Sequence, residues 1–244
     1  MHEEFEVPGH LQELDWTVRL DDPGTGNWKD KWFVDGERAE IRNTPRGMVF
    51  SAGPVPYDNG CHAVLWTKDT FSRNVKFECT YTRLDSATRF VNILYLQATG
   101  SEVGPYEEDI RTWADRRLVP YMKTYFQNMD LLHLSFAAFE NTDDTDEDYV
   151  RVRRYPTPKG KSFSDTQLEP SYSSTGLFRP GVPYGLTLIK TDDDLYFEVT
   201  GENTHRVFHW DLSSLSPLRP GRIGIRHMWT RSALYQGVRI STAL

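Results

Sequence analysis

The clearest pattern along this chain is alternation with a period of two, the mark of strands with one buried face. Over 75–84, VKFECTYTRL, Val75, Phe77, Cys79 and Tyr81 share one face, and Lys76, Glu78, Thr80 and Thr82 the other. Trp16, Val18 and Leu20 alternate in the same way. Two segments, 62–67 (HAVLWT) and 90–98 (FVNILYLQA), are mostly apolar. The apolar excess of 90–98 predicts cover on both faces, as in a central strand. Further strands are predicted over 131–140 and 149–155, a meander over 184–190, 195–200 and 207–210, and a hairpin pairs 39–42 with 48–51. Turn chemistry fills 21–27 (DDPGTGN) and 54–60 (PVPYDNG). The stretch 159–175, low in apolar residues and rich in Ser and Pro, is expected to be a long loop. One segment changes period: Tyr106, Ile110, Trp113 and Arg117 recur at spacings of four, three and four. Pro105 suits a first helical turn and Glu107, Glu108 and Asp109 its positive end, so a short helix is predicted over 105–118.

Many short strands with mostly hairpin links, and no βαβ alternation, predict an all-β fold: a two-sheet antiparallel β-sandwich with one short helix. A chain of 244 residues suits one domain, 1–244. The net charge of −7 argues against nucleic acid as a partner, which asks for a basic face. No apolar run approaches the ~20 residues that span a bilayer. The opening MHEEFEVPGH lacks a basic region followed by an apolar run, so no signal peptide is visible, and a cytoplasmic or periplasmic location is expected. Cys61 and Cys79 either pair or stay as buried thiols. The acidic turn 141–148, NTDDTDED, reads as a solvated hairpin tip that also admits a structural calcium; its spacing does not fit the twelve-residue helix–loop–helix site. No other cofactor or metal is expected.

The richness in Trp, Tyr and Phe, with scattered polar groups, suits carbohydrate, whose rings have apolar faces and hydroxyls. The chemistry concentrates in 221–240, GRIGIRHMWTRSALYQGVRI, read as two strands joined by an aromatic, basic loop. Arg226, His227, Trp229, Arg231 and Tyr235 crowd together there, in a chain of negative net charge. Arg226 ends an alternating strand, where a cation is costly to bury unpaired. His227 points the opposite way from Arg226 if that strand is regular. His133 interrupts an apolar strand: it is either a paired core histidine or a base facing a cleft. Trp66, Trp113 and Trp229 are each sugar platforms or core.

The segments 62–71 (HAVLWTKDTF), 92–100 (NILYLQATG), 129–139 (MDLLHLSFAAF) and 221–240 resemble a bacterial family of unknown function, the YesU-like proteins, from about residue 60 to the C terminus. That resemblance implies the concanavalin A-like lectin and glucanase fold, a jelly roll whose concave face takes ligands. Retaining glucanases of that superfamily carry a Glu-x-Asp-x-x-Glu strand motif, and no confident strand has it; Glu78 and Glu198 stand alone.

The residues on offer form a different set. His133, Arg226, Tyr235 and Tyr125 are the catalytic candidates, with Asn92, Gln97, Lys123, Arg154, His227, Trp229 and Arg231 as substrate contacts; Tyr95, Tyr184 and Arg153 belong to the same set. This set suits elimination beside a uronic acid carboxylate. Arg, with Asn or Gln, steadies the charge that builds on the carboxyl group, and His and Tyr exchange the protons. Loss of a sugar makes the enzyme a lyase; loss of water makes it a dehydratase. The expected partner is therefore an acidic oligosaccharide. The alternatives are a glycoside hydrolase with acids from Asp130, Glu140 or Glu169, and a non-catalytic carbohydrate-binding protein.

Overall fold

A computed structural model of the protein describes residues 5–142 and 146–244. The first strands are β1 (Thr17–Asp22), β2 (Trp32–Asp35), β3 (Glu40–Thr44), β4 (Gly47–Ser51) and β5 (Ala63–Thr67). They are followed by β6 (Asn74–Arg83), β7 (Asn92–Gly100), β8 (Met129–Phe139), β9 (Asp148–Tyr155) and β10 (Gln167–Ser173). The chain ends with β11 (Pro183–Lys190), β12 (Asp194–Gly201), β13 (Thr204–Asp211), β14 (Arg222–His227) and β15 (Ser232–Ala243). Two short α-helices are α1 (Gly9–Gln12) and α2 (Met122–Asn128).

All strand pairs are antiparallel, and they form two sheets. The eight-stranded sheet runs β13-β12-β11-β6-β15-β4-β3, with β1 also on β15; the seven-stranded sheet runs β10-β9-β8-β7-β14-β5-β2. This is the expected lectin-like jelly-roll sandwich. Phe77, Tyr81, Leu186, Leu188, Tyr235 and Ile240 from the first sheet meet Leu94, Leu96, Leu132, Leu134, Ile223 and Ile225 from the second in one core. The period of two then sends the intervening residues of the seven-stranded sheet to its outer face. Val64, Trp66, Ile93, Tyr95, Leu131 and Tyr155 lie there in a second apolar cluster, with Ile110, Trp113 and Tyr125 from 101–128 laid over them. Both faces of β5, β7 and β14 are therefore buried along their length, which is why β5 and β7 are mostly apolar, whereas β14 buries Arg222, Arg226 and His227 as well.

Three local expectations change. The helix expected over 105–118 is a 3₁₀ segment, Ile110–Arg117, broken at Trp113 (φ −125°, ψ 31°). The Asp109 carboxylate caps it by accepting from the Arg111 N–H at 3.0 Å. Helix α2, only seven residues long, went unread because one buried residue, Tyr125, leaves no periodic stripe. The loop expected over 159–175 contains β10, an edge strand whose half-exposed residues hide the alternation. The two strands expected in 221–240 are present as β14 and β15, and the residues grouped there divide between two sheets because these strands belong to opposite ones. Cys61 and Cys79 are free, buried thiols. Of the acidic turn 141–148, positions 143–145 lie outside the described residues; Asp148 is buried and accepts from the Gly176 N–H at 3.2 Å.

Candidate functional site

Strand register builds the site on the outer face. Phe33, Trp66, Gly224, Tyr95, His133 and Arg153 are cross-strand partners in one row over six strands. The next row in the same phase is Asp35, Val64, Arg226, Ile93, Ser135 and Arg151. Two rows of one face thus gather the polar and aromatic residues of six strands into one patch.

Gly224 matters for its missing side chain. A Cβ there would lie 2.4 Å from the Trp66 ring, so the indole lies across the glycine and reaches Tyr95. Trp66 and Tyr95 stack at 5.5 Å with 13° between planes, and Tyr125 from α2 joins both, at 6.5 Å and 5.8 Å. The Arg226 guanidinium sits over the Tyr125 ring, 4.5 Å from its centre.

Arg226 is wholly buried. Its Nη2 donates to the Pro120 carbonyl at 2.7 Å, while Nε and Nη1 have no partner. Among the described residues no carboxylate pairs with it. The buried acid of the patch, Asp35, is committed elsewhere: its Oδ2 accepts from Arg117 Nε (2.6 Å), Trp66 Nε1 (2.7 Å) and the Tyr125 hydroxyl (2.9 Å), and its Oδ1 has no partner.

His133 is buried one rung away. Its Nδ1 is 2.7 Å from the Tyr155 hydroxyl and its Nε2 2.7 Å from Ser135 Oγ. Burial, with Arg153 and Arg226 nearby, holds the imidazole well below its usual pKa, so it is neutral at pH 7. Burial raises Tyr155 and Tyr125 well above the usual phenol range, and Tyr95 to about 12. The arrangement thus holds one uncompensated guanidinium, a neutral imidazole hydrogen-bonded to a protonated phenol, and a stacked aromatic floor.

Of the residues singled out in the sequence, the fold brings His133, Arg226 and Tyr125 to this patch, with Tyr95, Trp66 and Arg153, and packs Trp113 over the same face under Arg117. It does not bring the others. Tyr235 and His227 face the inter-sheet core, where the His227 Nε2 meets the Tyr235 hydroxyl at 2.8 Å and its ring stacks on Phe50. Asn92 has the same phase as Leu94, and its Nδ2 donates to the Tyr81 hydroxyl at 2.6 Å, in that core. Gln97 sits at a bulge (φ 50°) and donates to the Phe71 carbonyl at 3.1 Å. Arg154 has the phase of Leu132 and pairs with Asp130. Lys123 is exposed on α2. Trp229 is buried between Tyr57 and Phe90, and Arg231 is held by Asp85 at 3.1 Å. Tyr184 lies in the inter-sheet core. Asp35, Arg117, Ser135 and Tyr155 belong to the patch and were missed. Parity alone could have placed Ser135 and Tyr155, which lie two and twenty-two positions from His133 on strands of known phase. Asp35 and Arg117 meet only through folding.

Among the described residues, no three His, Cys, Asp or Glu side chains are grouped to hold a metal ion. No described helix is long and apolar enough to cross a membrane.

No family model matches the sequence. No curated protein matches it either. Solved structures do match. A Bacillus subtilis protein of unknown function with a galectin-like fold superposes with a TM-score of 0.68 at 19% identity, covering 94% of this chain and all of that one. The lumenal domain of VIP36, in a form bound to Ca²⁺ and Man3GlcNAc, gives 0.54 at 12% identity over 86% of this chain and 85% of that one. Basic winged bean lectin with Tn-antigen gives 0.58 at 8% identity, over 93% and 98%. The fold is therefore a lectin-like β-sandwich jelly roll. Identities this low carry the fold and nothing finer.

Proposed function

We propose that this protein binds an acidic carbohydrate on the outer face of its seven-stranded sheet. Arg226 takes the sugar's carboxylate, and the Trp66–Tyr95 floor takes a ring face. The observation that carries the reading is the buried Arg226 charge with two unpartnered nitrogens. A guanidinium removed from water without a counter-charge costs several kcal/mol, and an anionic ligand offsets that cost. Two neighbours of the same fold were solved with saccharides bound, VIP36 with Man3GlcNAc and the winged bean lectin with Tn-antigen. The segments that resemble the YesU-like family form β5, β7, β8 and β14 of this patch and most of β15 in the other sheet, and we propose membership of that family on that resemblance alone. The chain acts as one domain in this reading and uses no cofactor.

Calorimetric titration with oligogalacturonides and oligoglucuronides, beside the same sugars with reduced carboxyl groups, tests the proposal. The acidic forms are expected to bind at least tenfold more tightly, and less so as salt rises. Equal binding of the reduced forms overturns it.

A second reading is favoured by one observation, the 2.7 Å contact of neutral His133 with Tyr155 beside Arg226. In β-elimination His133 takes the C5 proton, and the electron pair forms the C4–C5 double bond as the C4–O bond breaks. Tyr155 gives its proton to the departing oxygen, and Arg226 steadies the charge on the carboxyl group. A sugar leaving group makes this a lyase and water a dehydratase. Rising ultraviolet absorbance from the conjugated double bond with oligouronates supports elimination. New reducing ends without that absorbance select hydrolysis instead, and binding without product leaves the protein a lectin.

A further inference from the structure

We infer that residues 101–128 form a displaceable strap that fills the saccharide's place when the site is empty and opens as a unit to admit it. The inference rests on the outer face being the binding site. The strap mimics what it excludes. The Tyr125 ring lies flat on the Trp66–Tyr95 floor under the Arg226 guanidinium, where a sugar ring would lie. The Pro120 carbonyl accepts from Arg226 Nη2 as a carboxylate oxygen would. It leaves the other two nitrogens of that group unused, so a carboxylate makes the better partner.

The strap is held as something that can let go. Its two ends are tied together, the Ser101 N–H donating to the Asn128 carbonyl at 2.9 Å. Beside that tie, Glu102 (φ 59°) and Gly104 (φ 64°) are both in the left-handed region, and Val103 is exposed. Among the described residues, no backbone hydrogen bond joins 109–125 to a strand. Its polar grip is made by side chains: Arg117 and Tyr125 on Asp35, Arg222 on Asp109 at 2.9 Å, and Arg226 on Pro120. A seven-residue helix and a broken 3₁₀ segment have little stability of their own. Apart from those side chains, the strap is held by the packing of Ile110, Trp113 and Tyr125 on the sheet and by backbone bonds at its ends, the Gly100 N–H to the Glu108 carbonyl at 3.0 Å and the Thr157 N–H to the Phe126 carbonyl at 2.7 Å. Asp35 is the clasp, since one of its oxygens holds two strap donors while the other is unpartnered.

Hydrogen exchange read by mass spectrometry on the full, ligand-free chain tests this, and no saccharide enters, so the result stands whatever the site binds. Amides of 110–128 are expected to exchange at least tenfold faster than those of β7 and β8. Tyr125→Phe keeps the ring and drops the bond to Asp35; it should speed the strap about a further tenfold, with β7 and β8 unchanged. Arg117→Lys should act in the same direction. If 110–128 exchange only in step with β7 and β8 in the wild type and in both variants, the strap is part of the sheet and the inference fails. Should a variant lose protection in β7 and β8 as well, it has unfolded, and the wild-type rates decide.

Discussion

His227 and Tyr235 meet across the sandwich: the ring nitrogen of one sheet lies 2.8 Å from the phenol of the other, inside the core. They are eight residues apart in a stretch that looks like one cluster, yet they share nothing with Arg226, whose side chain leaves β14 on the other face. Tyr235→Phe should therefore cost stability and spare the site. His227 Nδ1 already lacks a partner, and losing the phenol leaves the whole buried imidazole unpaired, at a cost of about 1–3 kcal/mol. Thermal unfolding measures the first effect, and saccharide titration of the folded variant should show unchanged affinity. A folded Tyr235→Phe protein that no longer binds would return this tyrosine to the site.

Gly224 and Trp66 set the aromatic floor. Gly224→Ala would press a methyl into the indole at 2.4 Å, push the ring off Tyr95, and cost about 1–3 kcal/mol through overpacking. Gly26→Ala, with nothing within 4 Å of its new carbon, is the control and should leave the melting temperature near that of the wild type.

Acid should unfold this protein early. His62, His133 and His227 are all held neutral, chiefly by burial and further by nearby arginines, with His62 and His227 down at about 3. Each folded pKa is below the unfolded value near 6.5. The stability each gives is thus complete above pH 6.5 and is lost as pH falls from there, for His62 and His227 down to about 3. Each contributes about 1.4 kcal/mol per pH unit in that window. Denaturant midpoints at pH 7, 6, 5 and 4 should fall ever more steeply, and His227→Gln should flatten the curve. A midpoint constant from pH 7 to pH 4 would mean these rings are not buried neutral.

Most strands and the two-sheet plan were legible because alternation records burial directly: the phase of VKFECTYTRL is the phase in the fold, with Val75, Phe77, Cys79 and Tyr81 in the inter-sheet core. The same rule puts Arg226 and His227 on opposite faces, as they are in the fold. What it could not give was which strand neighbours which. Phe33, Trp66, Gly224, Tyr95 and His133 make one row only because β2, β5, β14, β7 and β8 are adjacent, and their order in space differs from their order in sequence. Grouping residues by nearness along 221–240 therefore joined Tyr235, Trp229 and Arg231 to a site on the far side of the sheet. Asp35 and Arg117, 82 positions apart, form their buried pair at 2.6 Å without any local pattern to announce it. The strap was misread for a related reason: its residues are buried by the sheet beneath and not by a face of their own helix.

The claim on which the rest depends is that Arg226 is buried for the sake of an anion and not for the fold. Arg226→Met fills the same space without the charge, and replacing a buried charge by a well-packed apolar side chain is often neutral or stabilising by about 1–4 kcal/mol. Unfolding and oligouronate titration on this one variant give the answer together. The account expects stability equal to or above the wild type's and at least a tenfold loss of affinity for the acidic sugar. A variant destabilised by several kcal/mol that still binds oligouronates as the wild type does would contradict it.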